Sequence, residues 1–167
     1  MNNDTHFDSS DCSLQSSTIS MLLSLLEKDQ VIAVQPVGNS MFPFFSGPRD
    51  TLCIARAHFP LKVGDIAIYR RANGMFVVHR VASRRTAPDR KTAYVFLGDN
   101  QTALEYPVYE ENIVGIVTSI CRKGKTISCH SRLYLVLSRL WLFLRPLRPF
   151  FLKTWAFFRK QKLRLFS

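Results

Sequence analysis

Residues 121–167 contain no Asp or Glu, although they carry 12 of the 23 Lys and Arg residues in this 167-residue chain. Residues 1–120 hold the other 11 basic residues and all 12 acidic ones, so that part is nearly neutral. The net charge of +11 therefore belongs to the C-terminal segment. Long apolar runs are also missing there, since none exceeds six residues, which excludes an ordinary membrane span of roughly 20 apolar residues.

The sequence also lacks closely paired cysteines. Cys12, Cys53, Cys121 and Cys129 form neither a CxxC pair nor a dense framework, and the histidines are not spaced with them as zinc ligands. A chain of 167 residues with 47% apolar residues can bury one ordinary core without disulfide staples. The sequence thus predicts one domain, with no metal and no cofactor.

The predicted organisation has three parts. Residues 1–17 are polar and lack the positively charged start of a secretory signal, so they predict a disordered leader. Residues 18–128 predict a mainly β domain with a compact, coiled β-barrel-like fold. The domain begins with a predicted short helix over 18–28. Residues 129–167 predict a helical basic-hydrophobic tail, broken at Pro146 and Pro149. The predicted strands are the short apolar runs 31–34, 51–54, 65–69, 75–78, 93–97 and 113–117.

A serine, a histidine and an aspartate follow one another in segments that suit a catalytic site. Ser40 lies between Gly38, which permits an unusual backbone angle, and Pro43, which restricts φ, so a constrained turn is predicted. His79 lies in an apolar run that favours a strand, and Asp99 in a Gly-Asp-Asn turn. A serine hydroxyl becomes a useful nucleophile when a base takes its proton and a third group orients that base.

Each of these residues also has a plainer interpretation. Ser40 alone is typical of a turn cap, His79 of a strand histidine bonded to a carbonyl, and Asp99 of an Asx turn. Glu105, which precedes Tyr106, is typical of a solvated loop acid. The occurrence of the serine, histidine and aspartate segments in order favours the catalytic interpretation.

Four segments resemble the signal peptidase I family, and specifically the branch of the endoplasmic reticulum, archaea and sporulation that uses histidine in place of lysine. The resemblance covers roughly residues 34 to 120 and is carried by Gly38–Pro43, Val63–Tyr69, Val77–Val81 and Leu97–Asn100, with Ile113–Gly115 closing the pattern. It implies a serine endopeptidase with Ser40 as nucleophile and His79 as general base. The implied substrates are proteins with a signal- or leader-peptide-like segment, bound as an extended peptide along a strand edge.

The third catalytic residue has two candidates. That branch carries one aspartate in its Gly-Asp-Asn box, matched here by Asp99, and a second six residues later, where this chain has Glu105. The tighter turn and shorter side chain favour Asp99, because it loses less entropy in holding an imidazole. Two other functions compete: a non-catalytic membrane-bound adaptor on the same scaffold, and a self-cleaving repressor-type peptidase. The histidine and the short N-terminal segment argue against the repressor type.

The tail predicts association with an anionic membrane. Large apolar side chains, including Trp141 and Trp155, alternate with Arg and Lys over residues 129–167, a pattern typical of helices that lie among lipid headgroups. Docking on the domain or on a partner is the alternative. No nucleic acid is expected as a partner, because the basic residues are interleaved with too much aliphatic surface. The sequence does not indicate the side of the membrane or the oligomeric state.

Overall fold

The computed structural model describes residues 25–26, 28, 30–47 and 49–147. The predicted leader 1–17 and the final residues 148–167 of the predicted tail lie outside the described residues, as does most of the predicted helix 18–28, of which Leu25 and Leu26 are helical.

The described chain is mainly β, which confirms the predicted fold class. One α-helix, α1, spans Arg132–Phe143, and two 3-10 turns span Glu110–Asn112 and Arg145–Leu147. Each of the six predicted strands is present, whereas β6 and β8 were not predicted. The eight strands are β1 Ile32–Val34, β2 Asp50–Ala55, β3 Ile66–Arg70, β4 Phe76–Thr86, β5 Thr92–Leu97, β6 Leu104–Tyr109, β7 Ile113–Arg122 and β8 Lys125–Ser128.

All strand pairs are antiparallel, in the order β1-β2-β7-β3-β4-β5-β6, and β8 pairs with the C-terminal half of β7 beyond the end of β3. Within the described chain the end strands β1 and β6 do not pair, so the sheet is open and the predicted β-barrel-like closure is wrong. Short alternating strands determine which face is buried but not whether the two edges of a sheet meet.

Side chains pack on both faces of the central strands β3 and β4. Ile66 and Ile68 join one core cluster, while Ala67 and Tyr69 join the other, because successive side chains of a strand point to opposite faces. The first cluster includes Met41, Phe45, Leu52, Ile54, Val78, Ile120 and Tyr134. The second includes Val77, Val81, Tyr94, Phe96 and Val108. A residue of β4 can therefore be buried on either face.

Helix α1 packs against the sheet. Ser131 caps it by accepting a hydrogen bond from the backbone N–H of Tyr134, and Pro146 follows soon after its end. Tyr134 and Ser138, one turn apart, are buried, and both Cys129 and Tyr134 belong to the first core cluster. Residues on both sides of the predicted boundary at 128/129 therefore pack into the same core cluster. No helix in the described part of the chain is long and apolar enough to cross a bilayer.

Candidate active site

Ser40 lies in a tight turn between β1 and β2. The turn is closed by hydrogen bonds from Phe42 N to Asn39 O at 3.0 Å and from Phe45 N to Met41 O at 3.1 Å. Gly38, at φ 86°, adopts a left-handed conformation that favours glycine, as the sequence predicted. The Ser40 side chain is fully buried. These bonds hold the serine on a constrained turn rather than in a strand.

A buried carboxylate anchors the end of this turn. Asp50, the first residue of β2, accepts from the backbone N–H of Ser46 at 2.9 Å and from Arg122 Nε at 2.6 Å. Arg122 also donates to the carbonyl oxygen of Phe44. Burial alone would raise the pKa of Asp50, but its hydrogen bonds from Arg122 and Arg49 lower it. Asp50 therefore stays charged and ties the turn to β7.

Ser40 and His79 form the candidate catalytic pair. Ser40 Oγ lies 3.2 Å from His79 Nε2, within hydrogen-bond reach, although 39 residues separate the two in sequence. His79 is in β4, opposite Ala67 of β3, and its imidazole is fully buried. The structure thus brings together the predicted nucleophile and the predicted base.

Glu105 completes the site on the other side of the imidazole. Its Oε1 lies 3.0 Å from His79 Nδ1, and the Tyr69 hydroxyl lies 3.1 Å from the same nitrogen. Arg71 binds the carboxylate with two nitrogens, Nε to Oε2 at 2.8 Å and Nη2 to Oε1 at 2.5 Å. A carboxylate so clamped is fixed in position to orient the imidazole.

The charge of Glu105 is set by these neighbours. Burial alone would raise the pKa of this carboxyl, but hydrogen bonds from Arg71 and His79, with a further contribution from Tyr69, hold the pKa well below its usual value. Glu105 is therefore a carboxylate at neutral pH. A carboxylate at this position accepts from an Nδ1–H, and in that neutral tautomer the lone pair of Nε2 is directed at the serine hydroxyl.

Strand register explains why Glu105 reaches His79. Phe96 of β5 pairs with both Val81 of β4 and Glu105 of β6, and paired residues project from the same face. Val81 and His79 are two residues apart on one strand, so they also share that face. Glu105, treated as a solvated loop acid in its plainer interpretation, belongs to strand β6, and its side chain is only 23% exposed.

Asp99, the acid that the sequence analysis favoured, lies on the opposite face of the sheet, against Arg80. Leu97 pairs with Arg80 rather than with His79, and Asp99 follows two residues later. Its carboxylate accepts from Arg80 Nε at 2.9 Å and from Arg80 Nη2 at 2.7 Å, and both side chains are fully buried. The described contacts of Asp99 thus form an ion pair with Arg80 and do not orient the imidazole.

Three contributors to this arrangement had no recognisable signal in the sequence. Arg71 lies in the hairpin turn between β3 and β4, which is closed by a hydrogen bond from Gly74 N to Arg71 O, and its reach to Glu105 depends on the unpredicted strand β6. Tyr69 ends the apolar run 65–69, and nothing in the sequence distinguishes it from the other aromatic residues of the chain. Arg80 directly follows His79 and is completely buried. No sequence pattern indicated this burial.

Neither the family models nor the curated proteins include a match to this chain. Within the described ranges, no three His, Cys, Asp or Glu side chains are grouped as ligands for a metal ion. The three described cysteines, Cys53, Cys121 and Cys129, are free thiols.

Proposed function

We propose that this protein is a serine endopeptidase whose active site is Ser40, His79 and Glu105. One observation carries the proposal: the imidazole lies between a serine hydroxyl at 3.2 Å and a carboxylate oxygen at 3.0 Å, on opposite ring nitrogens. Nucleophile, base and orienting acid in this relation are the parts that acyl transfer requires. The resemblance of the four sequence segments to signal peptidase I supports the same reaction class.

In the proposed mechanism, His79 Nε2 takes the hydroxyl proton of Ser40 as Oγ attacks the scissile carbonyl carbon. Glu105 stabilises the resulting imidazolium, while Arg71 keeps the carboxylate in place. The imidazolium then protonates the leaving amine, the C–N bond breaks, and an acyl ester on Ser40 remains. Water, deprotonated by the same imidazole, attacks that ester, and the acid product leaves with the Ser40 hydroxyl restored.

The substrate is proposed to be an extended peptide that carries an apolar segment. Strand β1 ends the described sheet order and leads directly into the turn of Ser40, so a peptide paired to its edge would extend toward the hydroxyl. A groove of about 580 Å³ adjoins the same turn. Its lining is mostly apolar and includes Pro43, Phe44, Ile120, Ile127, Leu137 and Trp141. Such a surface suits a signal- or leader-like sequence.

Membrane association is proposed through the outer surface of α1. Leu133, Val136 and Phe143 are 70%, 62% and 80% exposed, although the opposite side of the helix is buried. Arg132 and Arg139 on the same helix are exposed beside them. Exposed apolar side chains with interleaved arginines, and no acidic residue from 121 onward, suit the interface of an anionic bilayer. Vesicle flotation tests this: full-length protein should float with anionic liposomes and stay behind with neutral ones.

A non-catalytic adaptor on the same scaffold is the second candidate. The observation that favours it is the complete burial of Ser40 and His79, because a peptide must open the site to reach the hydroxyl. Covalent labelling by a fluorophosphonate, which reacts with activated serines, separates the two functions.

We expect the wild type and the matched exposed-serine variant Ser128→Ala to be labelled at one site, and Ser40→Ala and His79→Ala to be unlabelled. Peptide cleavage should follow the same pattern, and the losses in Ser40→Ala and His79→Ala should not add, because both residues act in one proton transfer. An unlabelled, folded wild type would favour the adaptor.

A further inference from the structure

Helix α1 is hydrogen-bonded to the turn that contacts the backbone of the catalytic serine. Trp141 Nε1 donates to the carbonyl oxygen of Asp99 at 3.0 Å, across 42 residues of sequence. The next residue, Asn100, donates its backbone N–H to the carbonyl oxygen of Ser40 at 2.7 Å. A chain of two hydrogen bonds with one peptide unit between them therefore connects α1 to Ser40.

The turn around Asp99 approaches the serine too closely to tolerate a side chain at its start. A Cβ added to Gly98 would lie 2.9 Å from the carbonyl oxygen of Ser40 and 2.5 Å from Gln101 Oε1. The turn is closed by a hydrogen bond from Gln101 N to Gly98 O at 3.0 Å. A small displacement of this turn would thus be transmitted to the Ser40 backbone.

Helix α1 also contacts Arg80, the neighbour of the catalytic histidine. Arg80 Nη2 donates to the Tyr134 hydroxyl at 3.4 Å, and the guanidinium carbon lies 4.5 Å from the centre of the Phe44 ring. Phe44 in turn makes edge contacts with Tyr134 at 5.5 Å and with Trp141 at 6.3 Å between ring centres. The helix is therefore packed against residues on both sides of the catalytic pair, in the serine turn and in β4.

We propose that α1 is a positioning element of the active site and that Trp141 is its principal positioning residue. This inference rests on the proposed peptidase function. Trp141 and Tyr134 act by holding the 98–101 turn and Arg80. Nucleophile and base must be held to within about 0.5 Å of the productive geometry, and a 1 Å error can cost about 100-fold in rate.

The test compares Trp141→Phe, which keeps an aromatic ring but loses the N–H donor, with Phe143→Leu, an exposed aromatic on the same helix. Measured quantities are kcat and KM on a soluble peptide, the rate of Ser40 labelling by a fluorophosphonate, and Tm. We expect Trp141→Phe to lower kcat and the labelling rate by about tenfold or more, with KM and Tm nearly unchanged. Phe143→Leu should match the wild type in all four.

Amide hydrogen exchange provides a readout that needs no activity. Trp141→Phe should accelerate exchange of the Asn100 N–H, which is bonded to Ser40, while Phe143→Leu should not. Unchanged labelling and unchanged exchange in Trp141→Phe would overturn the inference, and so would a lower Tm accompanied by a normal kcat. If the wild type were unlabelled, the peptidase proposal would fail instead, and exchange at Asn100 alone would decide whether α1 holds the turn.

Discussion

The two sides of strand β4 use adjacent residues and similar carboxylates for different purposes. On one side, Arg80 and Asp99 form an ion pair in which both side chains are 0% exposed. On the other, His79 shares Glu105 with Arg71, and the glutamate is 23% exposed. The Arg80 side is a closed ion pair, whereas on the His79 side the carboxylate contacts an imidazole that also reaches Ser40.

The difference lies in what each carboxylate faces. Asp99 faces a guanidinium, which keeps its proton at any ordinary pH, so the pair holds its charge and serves as a fixed support. Glu105 faces an imidazole whose other ring nitrogen lies 3.2 Å from the Ser40 hydroxyl. A carboxylate can assist catalysis only when its partner can exchange a proton. The distance in sequence between a carboxylate and the serine does not determine what that partner is.

The largest effect on activity should come from the His79 side. We expect Glu105→Gln to lower kcat by about 10³–10⁴-fold, because a neutral amide neither stabilises the imidazolium nor enforces the correct tautomer. kcat/KM on one peptide, measured with the wild type in parallel, checks this. A loss smaller than about tenfold, or ~1.4 kcal/mol, would reduce the site to a serine-histidine dyad.

The Arg80 side should respond in stability rather than in chemistry. Asp99→Asn leaves a buried guanidinium without its counter-charge, so the free energy of unfolding should fall by about 3–5 kcal/mol. Asp89→Asn, in an exposed loop, is the matched control and should stay within about 0.5 kcal/mol. Urea unfolding measures both.

If Asp99→Asn does not fold, the double variant R80M/D99L should recover much of the stability, since no charge is then left unpaired. A stable, inactive Asp99→Asn would instead place Asp99 in the chemistry and cancel the contrast between the two sides.

Acid titration of stability isolates the Glu105 carboxylate. Folding lowers its pKa from the usual 4.5, so the ionised form stabilises the fold at pH values above 4.5, and this contribution is lost as the pH falls below it. The difference in unfolding free energy between wild type and Glu105→Gln should therefore stay nearly constant above about pH 5 and shrink as the pH falls from about 4.5 toward 3. A constant difference over that range would show that the glutamate acts through packing alone.

The smallest stability effect is expected from substitutions on the outer, exposed surface of α1. Leu133→Ser, Val136→Ser and Phe143→Ser should each change the free energy of unfolding by about 0.5 kcal/mol or less, because these side chains are mostly exposed. Together they should reduce flotation with anionic vesicles. Undiminished flotation of the triple variant would assign membrane attachment, if any, to another part of the chain.

Particular residues show how far sequence reasoning extends. Ser40 and His79 could be proposed because their segments have distinctive local chemistry: Gly38 permits the left-handed angle that the serine turn requires, and His79 lies in a strand-like apolar run. The choice between Asp99 and Glu105 could not be made from the sequence, because it depends on the face of the sheet on which each carboxylate lies. Strand β6 was not predicted. Its segment, Leu104–Tyr109, contains a proline, and each of its two tyrosines is next to a glutamate in sequence, a composition that suits a loop equally well.

By itself, the sequence determined the mainly β character, the separation of charge along the chain, and the segments that carry the candidate nucleophile and base, because composition and local patterns contain that information. The tertiary structure alone decided three other features: the open sheet, the packing of α1 on the core, and the pairing of Glu105 with His79 and of Asp99 with Arg80. The first two depend on contacts between segments that are distant in sequence. The pairing of the carboxylates depends on strand register, because a shift of one residue moves a side chain to the opposite face of the sheet.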